Sequence, residues 1–121
     1  PTRETFFTPE FAAAYPERVR RLFTLFWDHR PDLESYLRHV VARQEHQTAD
    51  RLADITMPVL VVIGDRDTQP MGTGSHTEQS RFLLDHLPNA EMRVIPGAAH
   101  GFFWQMPERT VEVLLDWTLK H

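Results

Sequence analysis

Cysteine is absent from the 121 residues, which excludes disulfides, thiolate metal sites and a cysteine nucleophile. A cysteine-free chain suits a reducing compartment, so a cytoplasmic location is the expectation. Basic charge is also short: 13 Lys and Arg against 17 Asp and Glu leave a formal net charge of -4. No Lys/Arg-rich run could track phosphates, so nucleic acid is not an expected partner. No apolar run approaches the roughly 20 residues that a membrane helix needs. The opening Pro1-Thr2-Arg3-Glu4 lacks signal-peptide character, and no membrane partner is expected either. An initiator Met is missing too, which points to a processed, trimmed or fragmentary sequence.

What is present is ordinary: 41% hydrophobic and 25% charged residues describe one soluble domain with a modest core. Its most ordered signal is Pro58 to Asp67, P-V-L-V-V-I-G-D-R-D. Five uninterrupted apolar residues, four of them β-branched, predict a strand buried on both faces. Gly64 ends that strand at a sharp turn. Asp65 and Asp67 then stand just past its carboxyl end, where open parallel sheets place their chemistry.

The N-terminal third reads as helical. Thr8 can cap a helix with Pro9 at its first position, and Tyr15-Pro16 breaks it. A second helix is predicted from Pro16 to about His29, with Val19, Leu22, Phe23 and Phe26 on one stripe that Leu25 and Trp27 widen. Leu33, Tyr36, Leu37, Val40 and Val41 predict a third, ending near Gln47. After Asp67, a breaker-rich loop from Thr68 to Gly74 precedes a helix capped by Ser75 and running to about Leu87, with Leu83, Leu84 and Leu87 toward the sheet. Glu91 to Ile95 reads as a second strand and Pro96 to Gly101 as a small-residue loop. Pro107 to about Leu119 reads as a last helix with Val111, Leu114, Leu115 and Thr118 on its apolar face and Val113 and Trp117 beside it. A strand, crossover helix and strand in one sheet are expected to be parallel.

Parallel neighbours would bring Asp67 and His100 to one rim. A carboxylate beside an imidazole holds one ring nitrogen and frees the other as a general base. Gly97, Ala98, Ala99 and Gly101 let the histidine loop turn tightly. Such a pair still lacks a nucleophile.

The runs R-L-A-D-I-T-M-P-V-L-V-V-I-G-D-R-D and P-N-A-E-M-R-V-I-P-G-A-A-H-G-F-F-W-Q-M-P-E resemble the carboxyl-terminal half of an α/β-hydrolase, over Leu52 to Lys120. The preceding helices resemble part of its lid. The resemblance implies an α/β fold with a helical lid remnant over residues 1–51, followed by a βαβα unit over 52–121 from the end of a larger parallel sheet. It also implies that Asp67, the last residue of G-D-R-D, is the triad acid and His100 in G-A-A-H-G the triad base. The family's nucleophile sits on a G-x-S-x-G elbow. That elbow is absent, as is an H-G-G-G-type oxyanion segment: Ser35, Ser75 and Ser80 all lie outside such a context.

The expectation is therefore part of a serine-type hydrolase for an apolar ester, lactone or related acyl substrate, inactive alone. The alternatives are a dehalogenase-like or haloperoxidase-like relative and a non-catalytic binding module with the same shell. Asp65 is read as tightening its turn, and Ser75 as a cap rather than a nucleophile. Phe102, Phe103 and Trp104 are candidates for an acyl pocket. As lid residues, Phe6, Phe7, Phe11, Phe23, Phe26 and Trp27 would face a substrate channel; without the rest of a hydrolase they would be exposed or collapsed on the strands. His29, His39, His46, His76, His86 and His121 are read as solvated, with no metal or cofactor expected. The buried-type strand should need a missing N-terminal half, or self-association, to cover its second edge.

Overall fold

The computed structural model describes residues 3–67, 70–71 and 74–121. In chain order these form helices α1 (Arg3–Phe6), α2 (Pro9–Ala14), α3 (Pro16–Asp28) and α4 (Leu33–Glu45), then a 3₁₀ helix (Ala49–Asp54) and strand β1 (Val59–Gly64). A minimal antiparallel ladder of β2 (Pro70–Met71) and β3 (Gly74–Ser75) follows, then helix α5 (His76–His86) and strand β4 (Ala90–Ile95). Helices α6 (Phe102–Gln105) and α7 (Pro107–Thr118) complete it. Of the loop expected at Thr68 to Gly74, Thr68, Gln69, Gly72 and Thr73 lie outside the described residues, as do Pro1 and Thr2.

β1 and β4 pair in parallel, from Val59 beside Ala90 to Gly64 beside Ile95, with α5 as the crossover packed on both strands. Because the register ends level, the two segments leaving the strands start side by side. They are laced at once: the Asp65 N–H donates to the Ile95 carbonyl at 3.3 Å and the Arg66 N–H to the Ala98 carbonyl at 2.9 Å. Gly64 makes that approach possible, since a Cβ there would overlap the backbone of Ala98 and Ala99. Alternation along β1 buries Val61 and Ile63 and leaves Leu60 and Val62 half-buried. The expected double burial is therefore reached on one face and only partly on the other. Among the described residues β4 is the one strand paired with β1.

The main core lies away from the strands. Phe6, Phe7, Phe11, Val19 and Leu22 are buried together, with Ala12, Phe23 and Trp104 packed against them. Burying one such side chain fully stabilises by roughly 1.5–3 kcal/mol, so this cluster is what docks the N-terminal helices. It draws on both sides of the boundary at residue 51. The Thr8 hydroxyl caps α2 by accepting the Phe11 N–H, and Pro9 occupies the first turn. Of the aromatics expected to be exposed or collapsed on the strands, Phe6 and Phe7 instead pack on the segment after β4, where Gly101 presents no side chain. Leu25, Phe26 and Trp27 stay exposed.

Two helix faces also differ from their sequence patterns. In α7 Thr110 and Val113 are buried, while Val111, Leu114 and Leu115 are exposed; the helix packs on α6 and β4, with the Thr110 hydroxyl donating to the Met106 carbonyl at 2.9 Å. In α5 and its cap Leu87 is buried and Leu84 half-buried, but Leu83 is exposed. Helix α4 is capped by Asp32, which accepts the Ser35 N–H at 2.8 Å, and it buries no residue. No helix among the described residues is long and apolar enough to cross a membrane.

Candidate active site

The lacing of the two post-strand segments brings Asp67 and His100 together, as their positions in the sequence suggest. The Asp67 backbone N–H closes a turn onto the Gly64 carbonyl at 3.2 Å, and the side chain is buried at 5% exposure. His100 Nδ1 lies 2.9 Å from Asp67 Oδ2. In the neutral imidazole, a ring nitrogen facing an ionised carboxylate is the one that donates, and with Nδ1 in that place Nε2 is the acceptor. That is the tautomer a general base requires.

Asp65 does a different job from the turn-tightening assigned to it. Its Oδ1 accepts the Gly97 N–H at 2.7 Å, so it pins the start of the histidine loop rather than its own turn. The other end of that loop is held by the N-terminal helices. The Gly101 N–H donates to the Phe6 carbonyl at 2.7 Å, and a Cβ on Gly101 would come within 2.6 Å of the rings of Phe6 and Phe7. Phe6 in turn stands edge-on to the His100 ring, centroids 5.2 Å apart.

Gln105 is a positioning residue that sequence reasoning missed. Its amide nitrogen donates to Thr8 Oγ1 at 3.1 Å and to the Gly97 carbonyl at 3.0 Å. Its amide oxygen accepts the Ala99 N–H at 3.3 Å and the Thr8 N–H at 3.5 Å. This buried amide thus spends its full bonding capacity tying α2 to the loop that carries His100. Each buried group left unsatisfied by its loss would cost about 1–3 kcal/mol. The available signal was a lone amide inside the run F-F-W-Q-M.

The aromatic run before Gln105 divides by role. Trp104 packs on the core, its indole N–H donating to the Arg18 carbonyl at 3.0 Å while Arg18 returns a bond to the Trp104 carbonyl at 2.6 Å. Phe103 is 46% exposed and meets Phe6 edge-on at 6.2 Å; Phe102 is half-buried beside it. A cleft of about 480 Å³ opens nearby, lined by residues that include Phe11, Tyr15, Arg66 and Met106. It contains neither Asp67 nor His100.

His76 corrects the sequence reading. It was expected to be solvated, yet it is half-buried and its ring lies over that of His100, centroids 4.4 Å apart at 32°. Asp67, His76 and His100 each offer a ligand atom, all within 4.8 Å of one another. No local spacing could signal this, because three separate segments supply the groups. As for a nucleophile, the Ser75 hydroxyl bonds Glu78 in the capping box of α5, and that of Ser35 bonds Asp32 in the cap of α4.

No family model matches the sequence. Over 75 residues the chain is 32% identical to the proline iminopeptidase of Lactobacillus delbrueckii subsp. lactis, a stretch covering 61% of this chain and 23% of that protein. Among solved structures it is similar to MGS-M2, an α/β hydrolase enzyme from a Medee basin deep-sea metagenome library. That match has a TM-score of 0.71 at 22% identity, over 97% of this chain and 42% of the other. The chain thus spans less than half the length of MGS-M2, and its match spans about a quarter of the iminopeptidase. With its two parallel strands joined by a crossover helix and this structural match, the chain has the fold of the carboxyl-terminal portion of an α/β hydrolase.

Proposed function

We propose that the chain carries the acid and base of a serine-type hydrolase site. Asp67 orients His100, and His100 acts as general base on a nucleophile supplied from outside these 121 residues. The observation that carries this reading is the 2.9 Å contact from His100 Nδ1 to the buried Asp67 carboxylate. It leaves Nε2 as the basic nitrogen, at the carboxyl end of parallel strands where such folds do their chemistry. In this reading residues 1–51 are part of a lid, and the exposed Phe103, with Phe102 behind it, is the part of the aromatic run that meets an apolar acyl group. Trp104 supports them from the core.

The substrate class we favour is an apolar ester, lactone or related acyl compound. The likeness to a proline iminopeptidase adds a second candidate, an amide with an amino-terminal proline. The other readings are a dehalogenase-like or haloperoxidase-like relative, set by the residue on the elbow, and a non-catalytic binding module. A fluorophosphonate probe separates them. The full-length protein should be labelled covalently and this chain should not, and the unlabelled full-length protein should turn over p-nitrophenyl esters or proline p-nitroanilide, with that activity lost once the probe has reacted. A full-length protein that resists labelling and turns over neither substrate would overturn the serine-hydrolase reading.

A further inference from the structure

His76 is a residue that the hydrolase reading does not use. It is the first residue of α5, half-buried, and its ring stacks on that of His100. Two imidazoles lying 4.4 Å apart, with a buried carboxylate alongside, are a compact set of metal-ligating groups. We propose that Asp67, His76 and His100 bind a divalent transition-metal ion of the Zn²⁺ type, and that the bound ion switches the site off. The inhibitory half of this proposal rests on the hydrolase reading; the binding half does not.

The chemistry follows from the ligands. Two neutral nitrogens and one carboxylate oxygen suit Zn²⁺, Ni²⁺ or Cu²⁺, whereas Mg²⁺ and Ca²⁺ prefer all-oxygen shells. Three protein ligands leave a fourth position for water. Zn²⁺ holds such atoms at about 2.0–2.2 Å, so tetrahedral neighbours stand about 3.4 Å apart. The three groups here lie within 4.8 Å of one another, and the half-buried His76 can close the remaining gap by rotating about its side-chain bonds.

Each ligand comes from a different segment: the turn after β1, the start of α5 and the loop after β4. Two of those anchors are independently fixed, by the turn onto Gly64 and by the Gly101 bond to Phe6. The third is tethered by the Thr77 hydroxyl, which donates to the Asp67 carbonyl at 3.5 Å. Metal binding would thus add little ordering cost. An ion on the Asp67 carboxylate and a His100 nitrogen competes with the hydrogen bond that orients the base, which is why occupation blocks hydrolysis.

The test titrates zinc sulfate into this chain, stripped of metal by chelator, and reads binding by calorimetry. One equivalent should bind saturably. His76→Gln and His100→Gln should each weaken it by at least about tenfold, as loss of even a supporting partner of a metal ligand does. His29→Gln, at the carboxyl-terminal cap of α3 and outside the three-residue cluster, should leave it unchanged. Absence of saturable binding, or equal affinity in His76→Gln, overturns the proposal. Should a variant fail to fold, the unmodified chain still decides: Cu²⁺ should broaden the imidazole resonances of His76 and His100 first, and broadening that begins at His29 or His46 overturns the site. Ester hydrolysis by the full-length protein should fall with Zn²⁺ and recover with EDTA. Zinc binding without any hydrolysis defeats the hydrolase reading and leaves the site standing. Hydrolysis insensitive to zinc defeats the inhibition alone.

Discussion

At the scale of single residues, the site depends on one carboxylate doing what its amide could not. Asp67 is buried, and its Oδ2 accepts from His100 Nδ1. Asp67→Asn preserves volume but puts an N–H donor within reach of Nδ1, which favours the tautomer with the proton on Nε2. In the full-length protein this should lower kcat by about 10⁴, the scale of the same exchange in serine proteases, with KM far less affected. In the present chain the change should appear as a shift of the His100 imidazole nitrogen resonances to the other tautomer. A variant with unchanged kcat and an unchanged tautomer would remove Asp67 from its orienting role. The meeting of Asp67 with His100 was legible in the sequence because each follows a strand, and a parallel register fixes where strand ends lie. Asp65, Gln105 and His76 were not, since their roles are contacts made across segments: Asp65 with Gly97, Gln105 with Thr8, His76 with the ring of His100.

At the scale of elements, helix starts were the best-written part of the sequence. Thr8 and Ser75 cap as their positions imply, and Pro9, Pro16 and Pro107 open helices where a missing N–H costs nothing. The cap of α5 also sets a pH dependence. Glu78 accepts the Ser75 backbone N–H and, secondarily, its hydroxyl, and these bonds hold its carboxyl below the ordinary value of 4.5. The Ser35 backbone N–H, with the Ser35 hydroxyl second, lowers Asp32 at the start of α4 in the same way. A depressed folded value means that the cap's contribution is fully present above the unfolded value and is lost as pH falls through the folded one. Acidification from neutrality to about pH 5 should therefore leave both helix starts protected, with loss only below the usual carboxylate range. Carboxyl resonances followed by NMR check this, and a Glu78 midpoint at or above 4.5 would contradict the capping box as a source of stability. Helical faces were less legible than helical starts. Periodicity marks which residues favour burial but not the surface that buries them, and so the stripes of α4 and α7 were found without their partners. The short α1 and α6 and the β2–β3 ladder lie below the length at which any period can be read.

At the scale of the whole molecule, the described chain leaves much apolar surface uncovered. Leu33 is 73% exposed and Leu119 86%, and the face of α7 that carries Val111, Leu114 and Leu115 is open as well. Among the described residues β1, the most apolar segment, has one neighbour in a two-stranded parallel sheet, although strands of this composition normally sit inside larger sheets covered on both faces. An unpaired parallel edge also presents a row of free N–H and C=O groups to any second chain. MGS-M2, whose fold this chain shares, is more than twice as long, and we propose that the additional part of such a protein is what covers these surfaces. Sedimentation velocity on the isolated chain should then reveal dimers or larger species, with dye binding to exposed apolar surface. Adding a separately produced segment from the amino-terminal side of the full-length protein should suppress both. The edge itself is tested by Val62→Lys, which places a charge on the half-buried face of β1. If pairing along that edge drives association, the substitution should shift the population toward monomer, whereas association through α4 or α7 would be unaffected. A monomer at all concentrations, with cooperative unfolding and no dye binding, would mean that the two strands and the aromatic core suffice alone, and the covering role of a missing segment would fall.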